Sequence, residues 1–453
     1  MKQVFSIKND LYPLIKLATP LALTGIVQAS AFFFETVFLA HLSKEILAAG
    51  ALVNWLFAIF ATLSCGTLSS INILISHKYG AKDHYGISLV LRDGLLLAML
   101  LTIPAFLLFW NMAPILLLFG QDPSVVRLAT LYLHALAWGI LPNFILLVFL
   151  DFMMGLGHTR IIMIYSIISV MMIIFFSFSF IFGKFGMPAL GIAGAGWGVA
   201  VSNWIGAFIL AIYVLTHKNY RRYISHIFNL SKPSYLWELI QVGVPMGFMF
   251  CVEVSFFFVL VLLMGSLSSQ WLAANQVVFQ YMGTLTAVVF SIAQATTVRM
   301  GHLLGAKEIS SAENANYAGI LIAASFMGII AIFYWLFPSV LISIDFDIHN
   351  PNNFEIINDI KKLFAICAIF QILEAIRLSL FGALRSLKDT NFTLLTSIIS
   401  FWCIALPVGY FLAKNMQLSG PGLWWGMVMG AFCGVLLLIF RFQLKIRPYY
   451  KST

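Results

Sequence analysis

Three glutamates and one arginine stand inside stretches that are otherwise apolar, and their chemistry is the exchange of protons or small cations. Glu35 lies in Ala31-Phe32-Phe33-Phe34-Glu35-Thr36-Val37-Phe38, Glu253 in Cys251-Val252-Glu253-Val254-Ser255-Phe256, and Glu374 in Gln371-Ile372-Leu373-Glu374-Ala375-Ile376-Arg377. An ionisable group deep in such a run is costly unless it faces a cavity, a partner or an ion path. A carboxylate there can take up a proton, or hold a small cation together with further oxygen ligands. Glu35 has two readings: it reaches the outer headgroups, or it is a protonatable group in an outer cavity, made dry by three consecutive phenylalanines. Glu253 sits midway along its run with no interface to reach. Arg377 follows Glu374 by three residues, so the two share a helix face. They form either a structural ion pair or, with Glu253 nearby, two carboxylates tuned by a guanidinium. Asn275, Gln276 and Gln371 are candidate second partners, and Tyr281 offers a ring face to a flat organic cation. Asp151 falls near the end of its run, where headgroup exposure is expected.

The elements that position these groups must be membrane helices. Of 453 residues, 61% are hydrophobic and 9% charged, whereas a soluble domain carries about 25% charged residues. Runs long enough to span, roughly 20 residues each, fall at about 12–38, 47–76, 88–110, 125–150, 159–182, 190–216, 236–262, 271–300, 317–344, 356–381, 391–414 and 421–443. The fold class is therefore an all-α integral membrane protein of about twelve transmembrane helices, six in each half. With the N-terminus inside, 19 lysines and arginines fall in cytoplasmic segments and 6 in outer ones. This bias predicts cytoplasmic termini and accounts for the net charge of +9 without a nucleic-acid partner. The division reads as a six-helix bundle over 1–216, a cytoplasmic linker over 217–235 suited to anionic headgroups, and a second bundle over 236–453. No cleavable signal peptide is visible. Cys65, Cys251, Cys367, Cys403 and Cys433 are scattered through apolar runs and read as inert packing. No P-loop, HExxH or nucleophile elbow is present, so neither an enzyme nor a built-in ATP motor is expected, and no cofactor. Uphill work would draw on an ion gradient.

The halves repeat each other. At an offset of 225 residues Pro20 recurs as Pro245, Leu47-Ala48-Ala49 as Leu272-Ala273-Ala274, and Gly80-Ala81-Lys82-Asp83 as Gly305-Ala306-Lys307-Glu308. With small insertions, Ser166-Ile167-Ile168-Ser169 pairs with Ser397-Ile398-Ile399-Ser400, and Trp197-Gly198 with Trp425-Gly426. Six helices per half make the repeats parallel, as in transporters that alternate access between two halves. The charges break the repeat: Glu253 aligns with Gln28 and Glu35 with Leu260.

Pro20 through Leu42 with Gln28 and Glu35, the two Leu-Ala-Ala runs, Arg299-Met300-Gly301-His302-Leu303-Leu304-Gly305, and Leu373-Glu374-Ala375 followed by Leu384-Arg385-Ser386-Leu387-Lys388-Asp389 resemble the multidrug and toxic compound extrusion (MATE) family, in its bacterial NorM-like branch. The resemblance covers essentially the whole chain. It implies two six-helix bundles in a V-shaped arrangement. It also implies a secondary antiporter that exports cationic amphipathic compounds against inward proton or sodium flow; the chain is expected to lie in the bacterial inner membrane and to function as a monomer. Glu253 matches the family's C-terminal-half glutamate, Glu374 a C-terminal-half aspartate linked to cation binding, and Glu35 the first-helix aspartate. Both aspartate positions hold glutamate here, and Arg377 stands where no cation is expected. That weakens a sodium site near Glu253 and Glu374 and favours protons as the coupling ion. The alternatives are a flippase for lipid-linked saccharides, which would need a cationic cavity, and a non-transporting membrane receptor or scaffold.

Overall fold

The computed structural model of the chain describes residues 2–225, 227, 232–347 and 350–451, so the expected linker at 217–235 falls partly outside the described residues. All regular structure among the described residues is helical. The first half runs α1 (Lys2–Ala40), α2 (Lys44–Leu68), α3 (Ser70–Gly80), α4 (His84–Trp110), α5 (Met112–Leu118), α6 (Pro123–Ala137), α7 (Ile140–Gly155), α8 (Thr159–Phe182) and α9 (Ile192–Thr216). The second runs α10 (Leu236–Leu267), α11 (Ser269–Gly305), α12 (Ile309–Leu336), α13 (Pro338–Asp345), α14 (Phe354–Ser386), α15 (Thr390–Ser397), a π-helical segment (Ile398–Ala405), α16 (Leu406–Lys414) and α17 (Ser419–Lys451). Among the described residues, eleven helical spans are long and apolar enough to cross a membrane, and the count is twelve if α6 and α7, bent by 50° at a short break, form one span.

The repeat extends to the helix ends. Ser43 and Ser268, 225 residues apart, are both extended N-caps whose side chains accept from the backbone N–H three residues on. Each satisfies a donor that the first turn leaves open. Lys82 and Lys307, also equivalent, take left-handed backbone angles of φ 58° and 62° just past a helix end, a position usually given to glycine.

Two compact units emerge, Met1–Ala22 with Phe248–Thr453, and Leu23–Gly247; we call them the C-terminal and N-terminal units. Their limits differ from a division at the linker: each repeat's first helix gives its opening turns to one unit and the remainder to the other. The two changeovers, after Ala22 and after Gly247, are again 225 residues apart. Leu14 and Ala18 are buried in a C-terminal core with Met249, Ile292 and Leu378. In the N-terminal unit a Cβ on Gly243 would collide with the Thr67 carbonyl.

The Trp-Gly anchors have a packing cause. A Cβ on Gly198 would stand 2.5 Å from the Ser177 Cα of α8, and one on Gly426 2.5 Å from the Ala405 carbonyl oxygen. Lipid tails are as apolar as leucine, so membrane helices associate through such close backbone approach. The tyrosines of the connecting segment are buried too: Tyr220 and Tyr223 are 1% and 2% exposed, while Arg221 and Arg222 stay at the surface. Asp93 accepts from the backbone N–H groups of Ser234 and Tyr235, at 2.7 and 2.6 Å, and so tethers the approach to α10.

Candidate ion-coupling site

In the C-terminal unit the sequence-selected charges meet. Arg377 on α14 is fully buried and donates to both Glu374 oxygens, Nε to Oε2 at 2.7 Å and Nη2 to Oε1 at 2.5 Å. Its Nη1 donates to Glu253 Oε1 at 2.8 Å, across to α10. Ser397, the last residue of α15, donates to the same Glu253 oxygen at 2.8 Å. The guanidinium is held between two rings, 4.5 Å from the Phe381 centroid and 4.7 Å from that of Phe401. The bidentate fork and the aromatic faces are an environment that suits arginine and not lysine.

The backbone contributes to this arrangement. Phe401 lies in the π-helical segment that follows Ser397. Pro407, just beyond, has no N–H to return to the preceding turn, and a widened turn relieves that loss. The equivalent stretch of α8 is an uninterrupted α-helix. The counterpart of Phe401 in the first repeat, four residues past Ser166, is Val170, so the second repeat alone places a ring at this position.

Charge counting defines what the cluster can do. Arginine keeps its proton. Two ionised carboxylates and one guanidinium carry a net charge of minus one, and one added proton brings the cluster to neutrality. Glu374 has both oxygens committed to Arg377. The Glu253 side chain is 12% exposed against 9% for Glu374, and the hydrogen bonds from Arg377 and Ser397 both fall on its Oε1. Glu253 is the member best placed for exchange.

The N-terminal unit holds a separate carboxylate. Glu35 is buried and accepts a hydrogen bond from the Tyr132 hydroxyl of α6, with Asn54 Oδ1 3.5 Å from the same hydroxyl. It therefore does not reach for headgroups. The two residues just before it do not supply its dryness: Phe33 and Phe34 are 66% and 40% exposed, because residues one or two apart point to different sides of a helix. Asp151 corrects an expectation as well. It is buried in α7 and accepts from Asn72 Nδ2 at 2.7 Å rather than meeting headgroups.

The remaining candidates separate. Gln371 is buried one turn from Glu374, and neither of its amide atoms finds a hydrogen bond. Asn275 is buried and accepts from Trp424 Nε1 at 3.0 Å. Gln28 and Gln276 lie on exposed faces and do not join the cluster. The Tyr281 hydroxyl donates toward the Leu341 carbonyl at 3.0 Å and Asp345 at 3.2 Å. Sequence reasoning missed Ser397 and Tyr132 as partners. Ser397 carried one signal, its place in a repeated Ser-Ile-Ile-Ser run. Among the described residues no group of three or more His, Cys, Asp or Glu could hold a metal ion.

A duplicated membrane protein, helical throughout its described regular structure, with a net-acidic charge cluster in one unit and a buried glutamate bonded to a tyrosine in the other, belongs to a recognisable class of transporter-like folds. The chain is a member of the MatE family, whose model matches twice, over residues 20–178 and 245–411. The two matches begin at the repeated prolines. The chain is 33% identical over 450 residues to the probable multidrug resistance protein NorM of Oceanobacillus iheyensis, covering 97% of this chain and 98% of that protein. It is 30% identical over 438 residues to the probable multidrug resistance protein NorM of Pseudomonas aeruginosa, covering 96% and 90%. Among solved structures, the fold is similar to the outward-facing conformation of a multidrug resistance MATE family transporter of the MOP superfamily (TM-score 0.87, 18% identity, 100% of this chain and 99% of that one). It is similar also to the eukaryotic MATE transporter AtDTX14 (TM-score 0.82, 20% identity, 99% of each chain).

Proposed function

We propose that the chain is a proton-coupled multidrug antiporter of the bacterial inner membrane, with cytoplasmic termini, working as a monomer by alternating access. The names of the NorM relatives support multidrug efflux. The observation that carries the coupling ion is Arg377 bridging Glu374 and Glu253. The fixed guanidinium fills the position that a bound sodium ion would need between these carboxylates, and it leaves room for one exchangeable charge. A proton arriving from outside neutralises the cluster. An organic cation entering from the cytoplasm supplies the same single positive charge by another route. Two occupants that satisfy one deficit compete, and such competition is what obligatory exchange requires. An acidic cluster also favours cationic substrates over the pyrophosphate of a lipid-linked saccharide.

The test is efflux of ethidium from proteoliposomes under separately imposed proton and sodium gradients. A proton gradient is expected to drive efflux in the absence of sodium. Sodium-driven efflux with no response to pH would overturn the reading. Glu253→Gln, which keeps the Arg377 contact while removing the exchangeable charge, is expected to abolish gradient-driven efflux and leave the protein folded.

A further inference from the structure

We propose that protons reach the Glu374–Arg377–Glu253 cluster along one face of α14, through a water-bridged file entered at Asp345 and running past Tyr281, Tyr334 and Gln371. The inference rests on the proton-coupled reading of that cluster.

Register comes first. Phe364, Cys367, Gln371 and Glu374 follow each other at intervals of three and four residues and so share one face of α14. At 1.5 Å per residue, Phe364 lies about 15 Å from Glu374 along the axis. It lies toward the end of the helix that the lysine and arginine bias assigns to the outside. At that end Asp345, the last residue of α13, is exposed and accepts from the Tyr281 hydroxyl of α11 at 3.2 Å. Tyr281 and Tyr334 both pack on the Phe364 ring, at 5.8 and 4.7 Å between centroids. Tyr334 of α12 is in turn a neighbour of Cys367 and Gln371. The file reaches the cluster beside Glu374, one turn beyond Gln371, where a proton taken by either carboxylate neutralises the whole cluster.

The second observation is polar. The Tyr334 hydroxyl and both amide atoms of Gln371 are buried side by side, and no hydrogen bond of ordinary length reaches any of them. The core around them, with Leu363, Phe364, Phe370 and Trp424, is apolar. Unsatisfied groups of this kind are expensive, and bridging water is their ordinary partner in protein interiors. A tyrosine hydroxyl and a water can each accept one proton while releasing another. At each hop one O–H bond forms and one breaks, no electrons are transferred, and the last acceptor is a carboxylate oxygen. Gln371 carries no proton itself; its amide holds the bridging water in line and so acts as a positioning residue. The titratable and charged groups facing the file are Asp345 from α13, Tyr281 from α11, Tyr334 from α12, Cys367, Glu374 and Arg377 from α14, and Glu253 from α10.

Tyr334→Phe and Gln371→Leu, reconstituted beside the parent protein, test the file. Each is expected to slow proton-driven ethidium efflux by about a hundredfold, the lower end of what a positioned proton-transfer group contributes, with ethidium binding at equilibrium unchanged. Retained binding shows that the variants are folded. Asp345→Asn, at the exposed entrance, is expected to reduce the rate chiefly at high external pH, where protons are scarce. Variants that keep the parent's rate and pH profile, in a parent that does respond to the proton gradient, overturn the file and leave proton coupling standing. A parent indifferent to the proton gradient removes the coupling reading and the file together.

Discussion

Arg377 is the residue on which the C-terminal unit's electrostatics turn. Its burial between two rings and two carboxylates means that removing it strands charge in an apolar core. Arg377→Leu is expected to lower stability by about 3–5 kcal/mol, the usual cost of breaking a buried ion pair from one side. Adding Glu374→Leu should recover part of that loss, and thermal unfolding in detergent checks both. Equal stability of the single and double variants would separate Glu374 from Arg377. A different residue makes a pH prediction. His158, in the turn between α7 and α8, shares a 2.8 Å hydrogen bond with the buried Tyr220 hydroxyl. Burial, and then the nearby His217, hold its imidazole below the ordinary range. The undocked state, with His158 released from Tyr220, then binds more protons than the docked one as pH falls below about 6.5. Docking of Tyr220 is therefore complete above that pH and weakens below it. Hydrogen exchange at residues 220–223, corrected for its intrinsic pH dependence, should show protection lost on acidification in the parent but pH-independent in His158→Asn. At this scale the charged members of the cluster were legible because charge in an apolar run has few structural uses. Ser397 and Tyr132 were not, since hydroxyls are common in membrane helices and their partners lie 144 and 97 residues away.

Among the elements, the glycines separate close packing from open surface. Gly198 and Gly426 occupy equivalent places where two helix backbones nearly touch. Replacing either with leucine is expected to force α9 from α8, or α17 from α16, and to abolish recovery of monodisperse protein from the membrane. Gly283 of α11 and Gly328 of α12 would meet nothing within 4 Å on gaining a Cβ. Alanine there should raise stability by about 0.5–1 kcal/mol each, the helical cost of glycine, measurable as a higher Tm. Losses at all four sites would refute a packing origin for the Trp-Gly anchors. The anchors themselves were readable from the repeat, as were the spans, because apolar length and duplicated spacing are properties of sequence alone. The π-helical segment was not. Its trigger, Pro407, is a single residue whose effect depends on how the preceding turns are packed, and α6 and α7 show that a break can also arise without distorting a turn into a π-helix.

For the molecule as a whole, the parity of each half decides its orientation. Six spans per repeat bring the chain back to its starting side, so Lys82 and Lys307, equivalent in sequence and alike in left-handed backbone, should face one compartment. Seven or five spans would place them on opposite sides, as in an inverted repeat. The excess of lysine and arginine assigns their side to the cytoplasm, and it assigns Lys184 and Lys414 to the outside. All four are exposed, so cysteine replacements at these sites, in a background without the five native cysteines, report topology directly. A membrane-impermeant maleimide added to intact cells is expected to label Lys184→Cys and Lys414→Cys, and to label Lys82→Cys and Lys307→Cys only after permeabilisation. Labelling of one member of the 82 and 307 pair without the other would mean that a span has been miscounted, most plainly at the 50° break between α6 and α7. It would also reverse the direction from which Asp345 could receive a proton. The labelling pattern thus fixes which side feeds the C-terminal cluster.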